Sequence, residues 1–176
     1  MKLLALIGSG FKAIGERGNA SIEFGIVGSC FMMMLLASFE FGYMLFVQSS
    51  LDNAARDAAR LIRTGQAQLS GNAQTTFQNL LCGDVSAIIG CGNIIYQSQV
   101  FNDWTAASTA VNTPPTRDAQ GNYQSNGFSA GTQGQIVAVT VTYNYPFFTP
   151  WIASLVGGST NSALLMSTVV FQNEPY

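Results

Sequence analysis

Glu23, Glu40, Cys82 and Cys91 are the positions whose side chains have chemistry to offer, and the residues around each narrow what that chemistry is. Glu23 stands at the threshold of an almost uninterrupted apolar run, Phe24 to Val47, and Glu40 is the only Asp, Glu, Lys or Arg within it. A carboxylate in such surroundings is costly alone and tolerable beside an ammonium group. For Glu40, a few residues beyond the middle of the run, the charged form costs on the order of 2.5–3.5 kcal/mol on insertion scales, so the side chain is expected to be protonated, paired or turned to a protein partner. Snorkelling or neutral burial is the alternative. At Glu23 the carboxylate also complements the positive end of a helix dipole.

Cys82 and Cys91 are separated by eight residues, and each is followed by glycine. A disulfide closing so short a loop stabilises a fold by about 2–3 kcal/mol and requires an oxidising compartment. Two buried reduced thiols are the other reading. Zinc is excluded as a structural centre within this chain, because two cysteines without histidine cannot supply four ligands, and the chain has no histidine at all. Cys30 lies inside the apolar run as a small apolar residue, and Met32, Met33 and Met34 read as lipid or helix contacts, not as a metal site. Enzyme chemistry finds no support: the acids are scattered, no glycine motif cradles a phosphate, and Gly157-Gly158 is only a turn signal. A net charge of −2, with the basic cluster interleaved with aspartates, argues against nucleic acid as a partner. Neither a metal nor a cofactor is expected.

The elements that position these groups follow from periodicity. Phe24 to Val47 exceeds the roughly 20 residues needed to cross about 30 Å of hydrocarbon, and only an α-helix satisfies its own backbone there. A helix buried in a soluble core is the competing reading. The span divides the chain into a leader at 1–18, a long helix at 19–64 and a domain at 65–176; 48% hydrophobic and 9% charged residues over 176 positions support one modest domain beside the helix. Lys2, Lys12 and Arg17 precede the span, and Asp52, Arg56, Asp57, Arg60 and Arg63 follow it, so basic charge alone orients it weakly. The cysteines favour a cytoplasmic N-terminus and a periplasmic or external C-terminal domain. Leu3 to Ile7 is too short for a secretory h-region, and no small-x-small cleavage site follows.

Beyond the span the helix is expected to continue from about Ala20 to Thr64, where Gly65 supplies a stop. Asp52, Arg60 and Arg63 fall within about 40° of Arg56 on a helical wheel, whereas Leu51, Ala54, Ala55, Ala58, Leu61 and Ile62 take the opposite side. The ionic face is a solvated surface or, through Arg56, Arg60 and Arg63, an interface; Asp52 and Arg56 have the i,i+4 spacing of an ion pair. Gln74 to Leu81 reads as a short helix ending at Cys82-Gly83. Ile94–Phe101, Ile136–Tyr145 and Ala163–Phe171 read as strands, the second with Val137, Val139, Val141, Tyr143 and Tyr145 on one face. Thr105 to Gln135, polar and carrying Pro114 and Pro115, reads as a long surface loop, about 105–135. Pro146, Phe147, Phe148, Pro150 and Trp151 form an aromatic turn that packs on the sheet or faces a partner. The fold class is α+β: a long N-terminal membrane helix continuing into a small domain whose three- or four-stranded antiparallel sheet lies on the apolar side of residues 51–62.

GNASIEFGIV at 18–27, FEFGYMLFVQSSLDNAARDAARLIRTG at 39–65 and VFQNEPY at 170–176 resemble the TadE/TadG-like proteins of tight-adherence pilus assembly, which are pseudopilins or minor pilins. The resemblance implies a pilin-like architecture and a role in assembling a tight-adherence type IV pilus for surface attachment and biofilm formation. It implies a prepilin peptidase that cuts after Gly18, leaving Asn19 as the first mature residue and Glu23 as the fifth, paired with the new amino terminus of a neighbouring subunit. It also includes Glu40, set against another subunit or an inner-membrane assembly platform. The partners implied are therefore other pilin subunits, the peptidase, the platform and the lipid bilayer. The location implied is the bacterial inner membrane, with the domain periplasmic and incorporation into a surface pilus a further expectation. Relatives often carry proline six residues after the first glutamate; here that position is Ser29, which implies a straighter membrane segment. Gly25 with Ser29, and Ser38 with Gly42, have the small-xxx-small spacing that permits close helix packing. The alternative is an unprocessed single-pass anchor whose periplasmic domain recruits or regulates envelope components.

Overall fold

A computed structural model describes residues 16–111, 113–119, 122–157 and 161–176. Most of the leader, including Lys2 and Lys12, and Gly158 of the glycine pair lie outside the described residues. Helix α1 (Glu16–Arg63) passes through both of the units into which the chain divides, Met1–Phe41 and Gly42–Tyr176.

The described part of the first unit is all helix. It is helical from Glu16, the first described residue, and so already before the expected start at Ala20. Among the described residues α1 is the helix long and apolar enough to cross a membrane. Phe24 and Phe39 are 78% and 74% exposed, and Ile26, Val27, Phe31 and Met34 are exposed as well, which a core helix of a soluble protein would not tolerate. Polar side chains in this stretch bond to their own helix: Ser29 Oγ donates to Ile26 O at 2.9 Å and Ser38 Oγ to Met34 O at 2.9 Å. α1 runs unbroken through Ser29, as the missing proline leads one to expect.

In the second unit the ionic and apolar faces of α1 separate as the wheel requires. Val47, Leu51, Ala54, Ala55, Ala58, Ala59 and Ile62 are buried in the core, while Arg56, Asp57, Arg60 and Arg63 are exposed. Gly65 ends the helix in the left-handed region, φ 78°, with its N–H bonded to Ile62 O at 3.1 Å. A Cβ there would fall inside the Tyr176 ring, so both backbone and neighbour require glycine. Two short helices follow, α2 (Gln66–Leu69) and α3 (Ala73–Val85), the latter capped by Asn72, whose side chain accepts from Thr75 N at 3.1 Å. α3 runs past the expected end at Leu81, and Cys82-Gly83 lies inside it. The cause is packing: Phe77, Leu81 and Val85 recur every four residues, and all three are fully buried, which outweighs the roughly 1 kcal/mol cost of a mid-helix glycine.

A 3-10 turn at Cys91–Asn93 leads into β1 (Ile94–Phe101), followed by α4 (Trp104–Val111), β2 (Ile136–Pro146), α5 (Pro150–Val156) and β3 (Ser162–Gln172). The strands form one antiparallel sheet in the order β1-β2-β3. Tyr96 pairs with Val141 and Val139 with Val169. The fold is thus α+β, with a long apolar helix followed by a small domain holding a three-stranded antiparallel sheet.

Val137, Val139, Val141 and Tyr145 join α1 and α3 in a single core. The alternate residues Ala138, Thr140 and Thr142 are buried too, because α4 lies against all three strands. That helix corrects the first part, 105–111, of the stretch read as a loop; the described residues from 113 to 135 hold no helix or strand element. Asp103 starts α4, its carboxylate accepting from Ala106 N at 2.7 Å, and Ala107 is fully buried. The later part of the same stretch is tied to the β1 edge: Ser98 N donates to Gly127 O at 3.1 Å, Ser129 N to Ser98 O at 2.9 Å, and the Phe128 ring lies 5.4 Å from that of Phe77.

Candidate functional site

The groups singled out for processing and membrane contact all lie on α1. Gly18 and Asn19 are in its first turns, and Glu23 follows on an exposed position. Glu40 comes seventeen residues later, about 25 Å along the axis. Unlike the phenylalanines around it, Glu40 is buried, only 5% exposed. Glu23 and Glu40 therefore do not form one site; the helix holds them at different depths of the apolar run.

Of the three arginines, Arg63 has a partner that periodicity did not suggest. Its guanidinium lies 2.8 Å from the Glu174 carboxylate, and Glu174 N donates to Arg63 O at 2.9 Å. Asp52 likewise finds a different neighbour from the expected Arg56: Gln48 Nε2 donates to its carboxylate at 3.0 Å and to Met166 O at 3.2 Å. The latter bond sits in a partly buried strip where an amide can serve two acceptors at once. Arg60 borders an open groove of about 470 Å³ with Asp57, Leu61, Gln66, Leu80 and Asp84; its mixed charges select no single sign of ligand. Among the described residues no group of three or more His, Cys, Asp or Glu could hold a metal ion.

The C-terminal strap is held by several hydrogen bonds. Asn173, 2% exposed, donates through Nδ2 to Ala130 O at 2.9 Å and Thr132 O at 3.0 Å, and its N–H donates to Gln135 O at 2.9 Å. Gln68 Nε2 bonds both Ile62 O, at 3.1 Å, and the same Ala130 O, at 3.0 Å. Gln133 Nε2 donates to Tyr176 O, and the Tyr176 ring covers Gly65. The Asn-Glu-Pro-Tyr ending thus locks the C-terminal end of α1 to the turn before β2. Its sequence signal was the polar cluster after an apolar strand, but no local rule names its partners.

Cys82 and Cys91 form a disulfide with their Cα atoms 5.4 Å apart, well within the range that such a bridge spans. It staples the last turn of α3 to the 3-10 turn that starts β1. The aromatic turn divides between the two readings offered for it. Phe147 packs on the core, 5.7 Å from Tyr145 between ring centroids, whereas Phe148 is 69% exposed while touching Tyr43 at 5.8 Å. Nearby, burial and then the Tyr43 phenol push the Tyr143 phenol above its ordinary value.

No curated protein and no solved structure matches the chain. The family model described as TadE-like protein matches residues 18–60, from the glycine before Glu23 to the second exposed arginine of α1, and over that segment the resemblance to TadE/TadG-like proteins is borne out.

Proposed function

We propose that the chain is a minor pilin or pseudopilin of a tight-adherence pilus, processed after Gly18 and held in the inner membrane by α1 with its sheet domain on the periplasmic side. The observation that carries this reading is the TadE-like match beginning at Gly18 and covering the whole apolar run. Removing residues 1–18 leaves a new ammonium at Asn19, four residues from the Glu23 carboxylate. One charge of each sign at the head of an apolar helix favours assembly of neighbouring copies, because each is costly in a helix bundle unless it meets the other. Glu40 is already buried in the single chain, 5% exposed, so a contact with another subunit or the assembly platform falls to exposed residues of the run around it, such as Phe39. The Cys82–Cys91 disulfide suits an oxidising location for the domain. The work is packing and positioning, with no bond chemistry assigned to this chain.

Intact-mass and N-terminal peptide analysis of the protein from host membranes, with and without the prepilin peptidase, tests the proposal. A chain starting at Asn19 only when the peptidase is present supports it. Retention of residues 1–18 in both strains refutes it in favour of an unprocessed single-pass anchor.

A further inference from the structure

Within the second unit, α1 and β3 run in the same direction. Tyr43 meets Phe148 and Tyr145, with centroids 5.8 and 6.2 Å apart; Gln48 bonds Met166; Arg63 meets Glu174. Residues 43–63 cover about 30 Å of helix, and β3 covers about 36 Å of strand, so the two lie side by side along their lengths. The β2–β3 connection therefore occupies the pole of this unit where α1 carries the last residues of the apolar run, 42–47. Tyr43 is four residues, about 6 Å, short of the end of that run. With residues 24–47 as a membrane span, Phe148, packed on Tyr43, lies near the depth where hydrocarbon gives way to headgroups.

The side chains at this pole suit that depth. α5 turns Ile152 and Ala153 inward and leaves Leu155 76%, Val156 58% and Trp151 37% exposed, next to Phe148 at 69%. Isolated exposed apolar residues are ordinary on a soluble surface, but four in one short stretch are not. From Ala119 to Asn173 the chain contains no Asp, Glu, Lys or Arg, so no charge need be desolvated when the connection meets lipid. Aromatic side chains with a polar edge, such as Trp151 and Tyr43, favour the membrane–water boundary.

We infer that residues 148–156, between β2 and β3, form a membrane-interface foot: Phe148, Trp151, Leu155 and Val156 rest among the headgroups and upper acyl chains of the bilayer that α1 crosses. The foot fixes the domain against the membrane surface at a second point, as an interfacial amphipathic segment does. The inference rests on reading residues 24–47 as a membrane span, and the test separates the two. The chain has two tryptophans, and they lie at opposite poles. Trp104 is 55% exposed and follows Phe101, which pairs with Ile136, itself paired with Gln172 beside the C-terminal strap.

The full chain is reconstituted into phosphatidylcholine–phosphatidylglycerol vesicles carrying lipids brominated near the carbonyl end of the acyl chains, as Trp104→Phe and as Trp151→Phe. Flotation with the vesicles and resistance to alkaline extraction report the span. The foot requires that Trp151 emission be blue-shifted and quenched by the brominated lipid, while Trp104 emission is neither. Adding Phe148→Ser and Leu155→Ser, both on exposed positions, to Trp104→Phe should relieve the quenching with the far-ultraviolet circular dichroism unchanged. Equal quenching of the two tryptophans, or no quenching of Trp151 in floating protein, overturns the foot while leaving the span intact. A blue-shifted Trp151 that brominated lipid does not quench assigns the surface to a second copy of the chain and also overturns it. Protein that fails to float refutes the span, and the foot falls with it.

Discussion

Asn173→Asp replaces the buried amide of the C-terminal strap with a side chain of the same shape, so its cost isolates hydrogen bonding from packing. The native Nδ2 donates to Ala130 O and Thr132 O at 2.9 and 3.0 Å. Each carbonyl has a second donor, Gln68 Nε2 for Ala130 and Gln135 N for Thr132. Removing the side chain with Asn173→Ala therefore costs only the net worth of two hydrogen bonds, about 1–2 kcal/mol. The aspartate costs more at neutral pH, because it presents lone pairs to both carbonyls at a site 2% exposed; an uncompensated buried charge adds enough to bring the total to about 3–5 kcal/mol. Burial and the facing carbonyl dipoles raise the folded-state pKa of the introduced carboxyl above its unfolded value. The neutral acid can donate to one carbonyl, so the stability regained is fully present below the unfolded pKa, near 3.9, and is lost as pH rises through the folded pKa. Thermal unfolding of the full chain in detergent, followed by near-ultraviolet circular dichroism, should show a Tm about 10 °C below wild type at pH 7, at about 2–4 °C per kcal/mol. The deficit relative to wild type should shrink on acidification. An aspartate variant no worse than the alanine variant at pH 7, or one whose deficit grows as pH falls, would refute the account of Asn173 as a buried double donor.

Other perturbations probe separate parts of the chain. Gly65→Ala carries a left-handed backbone penalty of about 1–2 kcal/mol and also displaces the Tyr176 ring; Gly71→Ala, with φ 83° but open space around its Cβ, carries the backbone penalty alone. The first should therefore lower Tm more than the second, and equal shifts would mean that the ring is not held there. Reducing the Cys82–Cys91 bridge, or replacing Cys91 with serine, should cost about 2–3 kcal/mol in denaturant unfolding, and peptide mapping without reductant should recover the two cysteines in one linked species. A bulky substitution at Gly18 should leave the precursor uncut on immunoblots, whereas Glu23→Ala should be cut normally yet yield few surface pili by electron microscopy. Normal maturation in the former or normal piliation in the latter would contradict the pilin reading.

Local pattern by itself determined the long helix, its apolar run, the split between the arginine face and the alanine face, the stop at Gly65 and the three strands. Each depends on periodicity or on the conformational freedom of one residue, and such signals act within a few positions of themselves. The TadE-like character was likewise legible, because it resides in a continuous segment of α1. The extra turn of α3 was not, since it depends on Val85 finding the same core as Phe77. The α4 helix was hidden in a polar stretch, where Asp103 was the one capping signal and the burial that justifies the helix comes from the far side of the sheet. Asp52 illustrates how a correct local spacing can be overridden, because Gln48 can bond Asp52 and Met166 together. Only the tertiary structure decided that Arg63 belongs to Glu174, that Asn173 closes the turn before β2, and that the β2–β3 connection lies level with Tyr43. These contacts join segments distant along the chain, and no periodicity links them; the packing of strands and helix brings them within reach.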